Sequence, residues 1–379
     1  MSALGRFFIT MTDENKVSLL VKGKRYSGWL NVQIEAELMN LARSFSVGVT
    51  RQLNQSSLDI GIDLGDEVVV SIGSDVVLTG YVTNINIKYS ARSVQINIKG
   101  FSKTIDLIEC CLPTGTPKSY KNLTLLKLLS QLAGVYGIGV IDQVGIADKV
   151  SLDMKPTDKI GDALVDLLKK KSYLLCDDEN GNLVVCKPGS EGSCSDSLVY
   201  GQNILSGHKT LKAENLFSQY VVIGQGANPD STRPITDNQL KREATNPDIR
   251  NRTIVIGQSG NAFSDEMQKR VNHYMAQSKA TSNEVLYEVH GWRQSSRALW
   301  KLNQLIAVND SFLGIKSRKL ISKITYSLSE KGLLTLLKVD DPDAFLNTEA
   351  KTTGEAVRVT TENGRLIAIG HVEGTDWTS

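Results

Sequence analysis

The chain has few cysteines and lacks an apolar run long enough for a membrane helix. Its five cysteines are an odd number spread over 379 residues, unlike the dense and even sets that hold small secreted domains together. No stretch approaches the roughly 20 apolar residues that cross a bilayer, and the first residues lack the apolar segment of a secretory signal. We therefore expect free thiols, a reducing cytoplasm during assembly and no membrane insertion.

A surplus of charge of one sign is also missing. The chain has 43 Lys and Arg against 41 Asp and Glu, which gives a net charge of +2. Proteins that hold nucleic acid electrostatically carry a basic excess or a basic block. The longest basic run, Lys169–Lys171, ends a predicted helix, where cations complement the helix dipole. This balance argues against tight binding of nucleic acid.

Motifs of catalysis and of cofactor binding are missing as well. The cysteines lack the spacing of a zinc site, and Gly224-Gln225-Gly226 lacks the third glycine of a dinucleotide fingerprint, since position 229 is Pro229. The four histidines stand far apart in the sequence: His208, His273, His290 and His371. We predict no catalytic residues, no metal, no cofactor and no enzyme activity.

The densest group of carboxylates is Asp177-Asp178-Glu179, and glycoside hydrolysis would need such a pair of acids. Asn180-Gly181 follows, which is the turn signal of a hairpin, so we interpret the three residues as solvated acids at a hairpin tip. With a two-residue turn, Cys176 faces Val185 rather than Cys186, which disfavours a disulfide between the two cysteines.

Apolar periodicity divides the chain into three parts. Alternation such as Val68, Val70 and Ile72 before Gly73 dominates the first hundred residues and indicates antiparallel strands with one apolar face. Leucines at helical spacing near residues 125–132 and 160–168 then indicate two helices of an α+β module. Strands return from residue 201, with one helix capped near Ser264 and a long polar loop from Gly224 to about Arg252.

Two predicted hairpins resemble each other and suggest a duplication. Ile85-x-Ile87-x-Tyr89 with its return compares with Ile324-x-Tyr326-x-Leu328, whose return from Leu333 fits less cleanly, as a bulge would explain. We predict a mainly antiparallel β fold with two β-barrel-like domains and an α+β insert. The expected divisions are 1–16 (N-terminal extension), 17–105 (first β-barrel domain), 106–200 (α+β domain), 201–340 (second β-barrel domain) and 341–379 (C-terminal tail).

Several segments, in order from about residue 20 to residue 340, resemble the baseplate hub proteins of Mu-like phages. These segments are VKGKRYSGW (21–29), SFSVGV (44–49), TGYV (79–82), IKG (98–100), KTIDLIEC (103–110), KNLTL (121–125), YGI (136–138), HGWR (290–293) and LWKLN (299–303). The chain departs from that pattern at Met1–Lys16 and beyond Asp340.

The resemblance implies a structural protein of a contractile tail, related to the hub parts of type VI secretion spikes. It implies a ring-shaped homotrimer that docks on a sixfold tail tube and accepts a threefold spike. The implied partners are the tail tube protein, the central spike protein and other baseplate proteins, with DNA only as passing cargo. The implied location is the virion, assembled in the host cytoplasm.

Within this hypothesis, the basic residues of the long polar loop are candidates for a contact with a partner or with the lumen of the ring: Arg233, Lys241, Arg242, Arg250 and Arg252. The alternative function is a tail-associated protein that binds carbohydrate or degrades the cell wall, for which the sequence offers only scattered tryptophans. A spike base of a secretion system would use the same ring architecture.

Overall fold

The computed structural model describes residues 13–52, 61–91, 93–171, 173–226, 239–262, 264–345, 358–362 and 365–369. The chain divides into two compact units. The larger unit contains residues 1–209 and 284–342, and the smaller contains residues 210–283 and 343–379. No described helix is both long enough and apolar enough to cross a membrane.

Strands dominate the chain up to residue 102, as the alternation predicts. They are β1 (Val17–Val21), β2 (Lys24–Ser27), β3 (Asn31–Glu37), β4 (Ser44–Gln52), β5 (Glu67–Ile72), β6 (Asp75–Tyr89) and β7 (Ser93–Ser102). Alternate residues are buried along each of β3, β5 and β7, so each strand turns one apolar face to the core.

The middle of the chain contains the two predicted leucine helices. Its elements are α1 (Ile105–Glu109), β8 (Ser119–Thr124), α2 (Leu125–Gly134), β9 (Val140–Asp142), β10 (Lys149–Asp153), α3 (Ile160–Lys171), β11 (Leu174–Asp177) and β12 (Leu183–Cys186). The leucines of α2 and α3 share one core with β11 and β12, so their spacing identified buried helix faces correctly.

Strands return in the last third. The elements are β13 (Leu198–Val199), β14 (Ile204–Leu211), β15 (Gln219–Gly226), β16 (Gln239–Thr245), β17 (Thr253–Ala262), α4 (Ser264–Ser282), β18 (Asn283–His290), β19 (Leu305–Asp310), β20 (Ile315–Ser329), β21 (Gly332–Asp340), β22 (Arg358–Glu362) and β23 (Arg365–Ile369). Helix α4 begins at Ser264, as predicted. Strands β22 and β23 pair antiparallel with each other.

One 13-stranded sheet joins the first and last thirds in the order β14-β18-β21-β20-β3-β4-β7-β6-β5-β1-β2, with β19 beside β20 and β13 beside β19. Among the described strands this sheet is open, so the prediction of two separate barrel-like domains was wrong in that respect. The physical reason is β20, whose 15 residues are long enough to pair with two strands along one edge. Its first part pairs with β19 and its second part with β3.

The two similar hairpins are equivalent in register. Tyr89 pairs with Val94 and Leu328 with Leu333, and both hairpins continue in step through the pairs Asn84–Lys99 and Lys323–Lys338. Each residue of the second hairpin stands 239 positions after its counterpart. Both long strands also shift register at the same point, after Val82 and after Ile321. A bulge therefore occupies the same place in both copies, in the outgoing strand rather than in the return where the sequence suggested it, and this supports a duplication of the β element.

The smaller unit contains a three-stranded sheet in the order β16-β15-β17, against which α4 packs. The predicted loop from Gly224 to about Arg252 is therefore wrong in part, because residues 239–245 form an edge strand. Among side chains 241–245 of β16, Ala244 is the one that is both apolar and buried. Such a strand lacks the apolar alternation by which a sequence reveals a strand.

Candidate functional surfaces

The carboxylates at 177–179 were the strongest catalytic candidates, and the structure separates their roles. Asp177 is buried at the end of β11 rather than solvated, which corrects the sequence interpretation. Its carboxylate accepts hydrogen bonds from the backbone N–H of Arg43 and from Arg43 Nε, each at 3.0 Å. Both carboxylate oxygens of Asp177 are therefore engaged in holding Arg43.

Arg43 joins the first β region, which is strands β1 to β7, to the α+β module through several hydrogen bonds. Its Nη1 donates to the carbonyl of Val77 at 3.0 Å and its Nη2 to the carbonyl of Asp177 at 2.6 Å. The side chains of Arg43 and Asp177 are 14% and 2% exposed, so the ion pair is shielded from water. Coulombic attraction to Asp177 raises the pKa of the Arg43 guanidinium against the opposing effect of burial. The guanidinium remains charged and fixes the position of β11 against β6.

The loop that follows β11 explains why the predicted cysteine register was wrong. Asp178 N–H donates to the Asn182 carbonyl, and the Asp178 carboxylate accepts from Asn180 N–H at 3.0 Å and Asn182 N–H at 2.7 Å. This makes a loop longer than two residues, and Cys176 therefore pairs with Val184. Cys176 and Cys186 then share one face of the sheet, with their sulfur atoms 3.8 Å apart as free thiols.

A concave surface with a cavity of about 830 Å³ lies beside the Arg43–Asp177 pair. Its lining combines charged groups with the aromatic side chains of Trp300 and Tyr326. Trp300 is buried, and its Nε1–H makes no hydrogen bond within the described ranges. Both rings are buried, and Arg43 and Asp177 bond to each other, so these groups of the lining serve the packing of the larger unit. No group of three or more His, Cys, Asp or Glu side chains able to hold a metal is found among the described residues.

The segments HGWR (290–293) and LWKLN (299–303) hold the second β region, which is strands β18 to β21, to its neighbours. Trp292 is fully buried, and its Nε1–H is 3.1 Å from the carbonyls of both Ser327 and Leu334. Asn303 is also buried; its Nδ2 donates to the Lys187 carbonyl at 2.9 Å, and its Oδ1 accepts from Gly189 N–H at 2.8 Å. The structure thus shows that Trp292 and Asn303 fasten long-range connections.

A shallower concavity of about 490 Å³ lies over strands β3, β4, β6, β7 and β20. Amide and hydroxyl side chains dominate its lining, and Ser46 Oγ donates to Asn97 Oδ1 at 3.1 Å. The lining includes one charged side chain, Lys88. This polar face, which we call the amide face, extends without interruption from the first β region into the second because β3 pairs with β20.

The predicted basic contact residues all belong to the smaller unit, and the structure gives them different roles. Arg233 lies outside the described residues. Lys241 contacts the Glu243 carboxylate and lowers its pKa, and Arg242 donates to the Lys241 carbonyl at 2.8 Å. Arg250 is exposed. Arg252 donates to the carbonyls of Ala213 and Glu214, and its guanidinium lies 4.9 Å from the centre of the Phe217 ring.

We expect Arg252→Ala to destabilise the smaller unit by about 1–3 kcal/mol, because it removes two charge-assisted hydrogen bonds and a cation–π contact. Arg250→Ala, the matched control two residues away, should change stability by less than about 0.5 kcal/mol. Hydrogen exchange of the amides in β15 measures both effects. Equal protection of β15 in the two variants would show that Arg252 is not a structural residue.

Three family models match consecutive parts of the chain. Residues 16–102 match the N-terminal domain of Mu phage baseplate assembly proteins of the GpP-like type. Residues 104–187 match the second domain of gp44-like baseplate hub proteins, and residues 264–348 match the fourth domain of the Mu baseplate assembly protein GpP. Together the three matches cover about two thirds of the chain.

Individual relatives agree with these matches along nearly the whole length. The chain is 27% identical over 350 residues to baseplate hub protein gp44 of Escherichia phage Mu, which covers 88% of this chain and 89% of that protein. The crystal structure of the 43 kDa tail protein of prophage MuSo2 from Shewanella oneidensis is similar with a TM-score of 0.77 and 26% identity, covering 87% of this chain and 99% of that one. A tail protein from Neisseria meningitidis has the same fold, with a TM-score of 0.75, 21% identity and coverage of 87% and 98%.

Proposed function

The chain belongs to the Mu-like phage baseplate hub family and has a structural role in a phage tail, and we propose that it works as a homotrimeric ring. One side of this ring docks on the sixfold tail tube, and the other side seats the threefold central spike. Other baseplate proteins attach around it. The site of action is the virion, after assembly in the cytoplasm of the host. The protein performs no catalysis in this role.

The duplicated hairpin is the observation that carries the proposal. An adaptor between threefold and sixfold symmetry needs two similar elements in each chain, so that three chains present six. The constant spacing between the two hairpins supports such a pair of elements. The domain division predicted from the sequence, with β regions on both sides of an α+β insert, stays part of the proposal.

We also propose that the ring is a conduit through which DNA passes after the spike leaves. The amide face supports this second role. A conduit has to avoid tight phosphate contacts, because each neutralised phosphate adds to the affinity. The charged residues next to the amide face compensate one another: Lys323 Nζ is 2.7 Å from Glu35 and 3.3 Å from Glu37. We propose that this face lines the lumen, and that Lys241, Arg242 and Arg250, together with Arg233, contact a partner.

Deletion of the coding sequence from its phage or prophage should abolish assembled tails, since the tube would have no ring on which to start. A copy expressed in trans should restore them, and quantitative mass spectrometry of purified particles should find three copies per tail. Electron microscopy of lysates checks the first result. Normal infectious tails without the chain would contradict the structural role, and six copies per tail would contradict the trimer.

A further inference from the structure

Two strands of the large sheet have edges that no described strand covers. Strand β6 pairs with β5 only along its first part, up to Tyr81, so the edge of residues 84–89 opposite β7 is open. Strand β14 is the terminal strand of the sheet and has β18 as its one neighbour among the described strands. Open edges carry unpaired N–H and C=O groups and readily accept another strand.

The duplication indicates what covers these edges. The series β3-β4-β7-β6 in the first β region matches β14-β18-β21-β20 in the second, because both have the same strand order. Strand β5 flanks the first part of β6 just as β19 flanks the first part of β20. The second part of β20, however, is paired with β3, and the equivalent part of β6 has no such partner. By equivalence, the partner missing from β6 is a copy of β14.

Side-chain exposure agrees with a missing strand at this place. Ile87 and Tyr89 of β6 are 46% and 82% exposed, whereas their counterparts Tyr326 and Leu328 are 7% and 6% exposed. The counterparts lie directly opposite Ile34 and Val32 of β3. On the other open edge, Leu205 of β14 is 54% exposed. Apolar side chains exposed on both edges are those expected where a strand from another chain will pack.

We propose that β14 of one chain pairs antiparallel with residues 84–89 of β6 in a second copy, in the way that β3 pairs with β20 inside each chain. The proposal rests on the proposed function in taking the assembly to be a closed ring of identical chains. Each chain then supplies one internal junction and one half of each of two junctions between chains. The sheet continues from copy to copy, and β14 and β6 no longer present free edges.

The first test measures the molar mass of the full chain by sedimentation equilibrium. The wild type should approach three times the 41.5 kDa chain, about 125 kDa. The variant Ile87→Asp/Tyr89→Asp should dissociate, with an apparent dissociation constant raised about 100-fold or more, because it places two carboxylates in the junction. Leu64→Asp is the matched control, since Leu64 is 66% exposed outside both edges; it should assemble like the wild type.

The second test does not depend on the folding of a destabilised variant. One preparation carries Lys88→Cys and another carries His208→Cys, because the equivalence with the Ser327–Gln33 pair places residues 88 and 208 opposite each other. The two are mixed and treated with a short bismaleimide. Mass spectrometry should find a peptide pair that joins positions 88 and 208 of different chains. Neither preparation alone should give that pair, because each contains one of the two new thiols.

The outcomes separate this junction from the wider role. A variant with Asp at 87 and 89 that keeps the wild-type molar mass, or a mixture without the 88–208 link, would overturn the junction. If such a variant also restored tails to a deletion mutant, the hub role would stand while the junction fell. If the wild type itself failed to restore tails, the proposed function would fall whatever the cross-link showed.

Discussion

Asp177→Asn should lower the free energy of unfolding of the larger unit by about 3–5 kcal/mol, the usual cost of breaking a buried ion pair by removing one partner. The asparagine keeps the shape of the side chain but leaves the Arg43 guanidinium buried without a counter-charge. Arg43 also donates to two main-chain carbonyls, at Val77 and Asp177, so it cannot turn to water without giving up those bonds. The substitution therefore loosens the joint between β11 and the first β region.

Urea denaturation followed by tryptophan fluorescence measures this effect, since Trp29, Trp292 and Trp300 all belong to the larger unit. Glu179→Gln is the control, because it removes a neighbouring acid that is only partly buried; it should cost less than about 0.5 kcal/mol. The double variant Arg43→Met/Asp177→Leu should recover much of the loss, because it leaves no buried charge. If Asp177→Asn were as stable as the control, the pair would not hold the joint.

The contrast between Asp177 and its neighbours shows where sequence reasoning stopped. Three consecutive acids before Asn-Gly are typical of a solvated tip, and Glu179 is consistent with that pattern. What makes Asp177 different is Arg43, which stands 134 residues earlier in the chain. A local pattern has no information about a partner at that distance, so burial of the first acid could not be predicted from the segment itself.

The predicted features that the structure confirms are local ones. The leucine stripes of α2 and α3, the start of α4 and the two similar hairpins all depend on residues within a few positions of one another. The bulge suspected in the return of the second hairpin was misplaced: it lies in the outgoing strand β20, and the equivalent bulge in β6 was not foreseen. A bulge shifts the alternation of inward and outward side chains by one residue. This shift occurs at Thr83 in β6 and at Ser322 in β20.

The open sheet could not be predicted in the same way. Alternation predicts that β3 and β20 are strands but does not say that they pair, because the apolar face of a strand is the same whichever neighbour it has. The length of β20 was the available signal. A 15-residue strand exceeds the reach of the six-residue β19, which leaves part of its edge available to another partner.

Trp292→Ala should also destabilise the larger unit by about 3–5 kcal/mol, since it empties the volume of a fully buried tryptophan. Trp292 packs edge to face on Tyr326, with ring centres 6.2 Å apart. Tyr326 in turn lies opposite Ile34 across the junction of β3 with β20. A cavity at Trp292 therefore removes support from the β3–β20 pair, which among the described strands is the pair that joins β1–β7 to β18–β21.

Trp292→Phe separates the packing from the hydrogen bonds of this side chain. Phenylalanine fills most of the volume but lacks the N–H that reaches the carbonyls of Ser327 and Leu334 at 3.1 Å, so we expect a loss of about 1–3 kcal/mol. Hydrogen exchange should show the difference: Trp292→Ala increases exchange of the amides of β3 as well as those of β20 and β21, whereas Trp292→Phe affects mainly the β20–β21 hairpin. If β3 stayed fully protected in Trp292→Ala, its union with β20 would rest on the strand pairing alone. The tryptophan would then stabilise only its own hairpin.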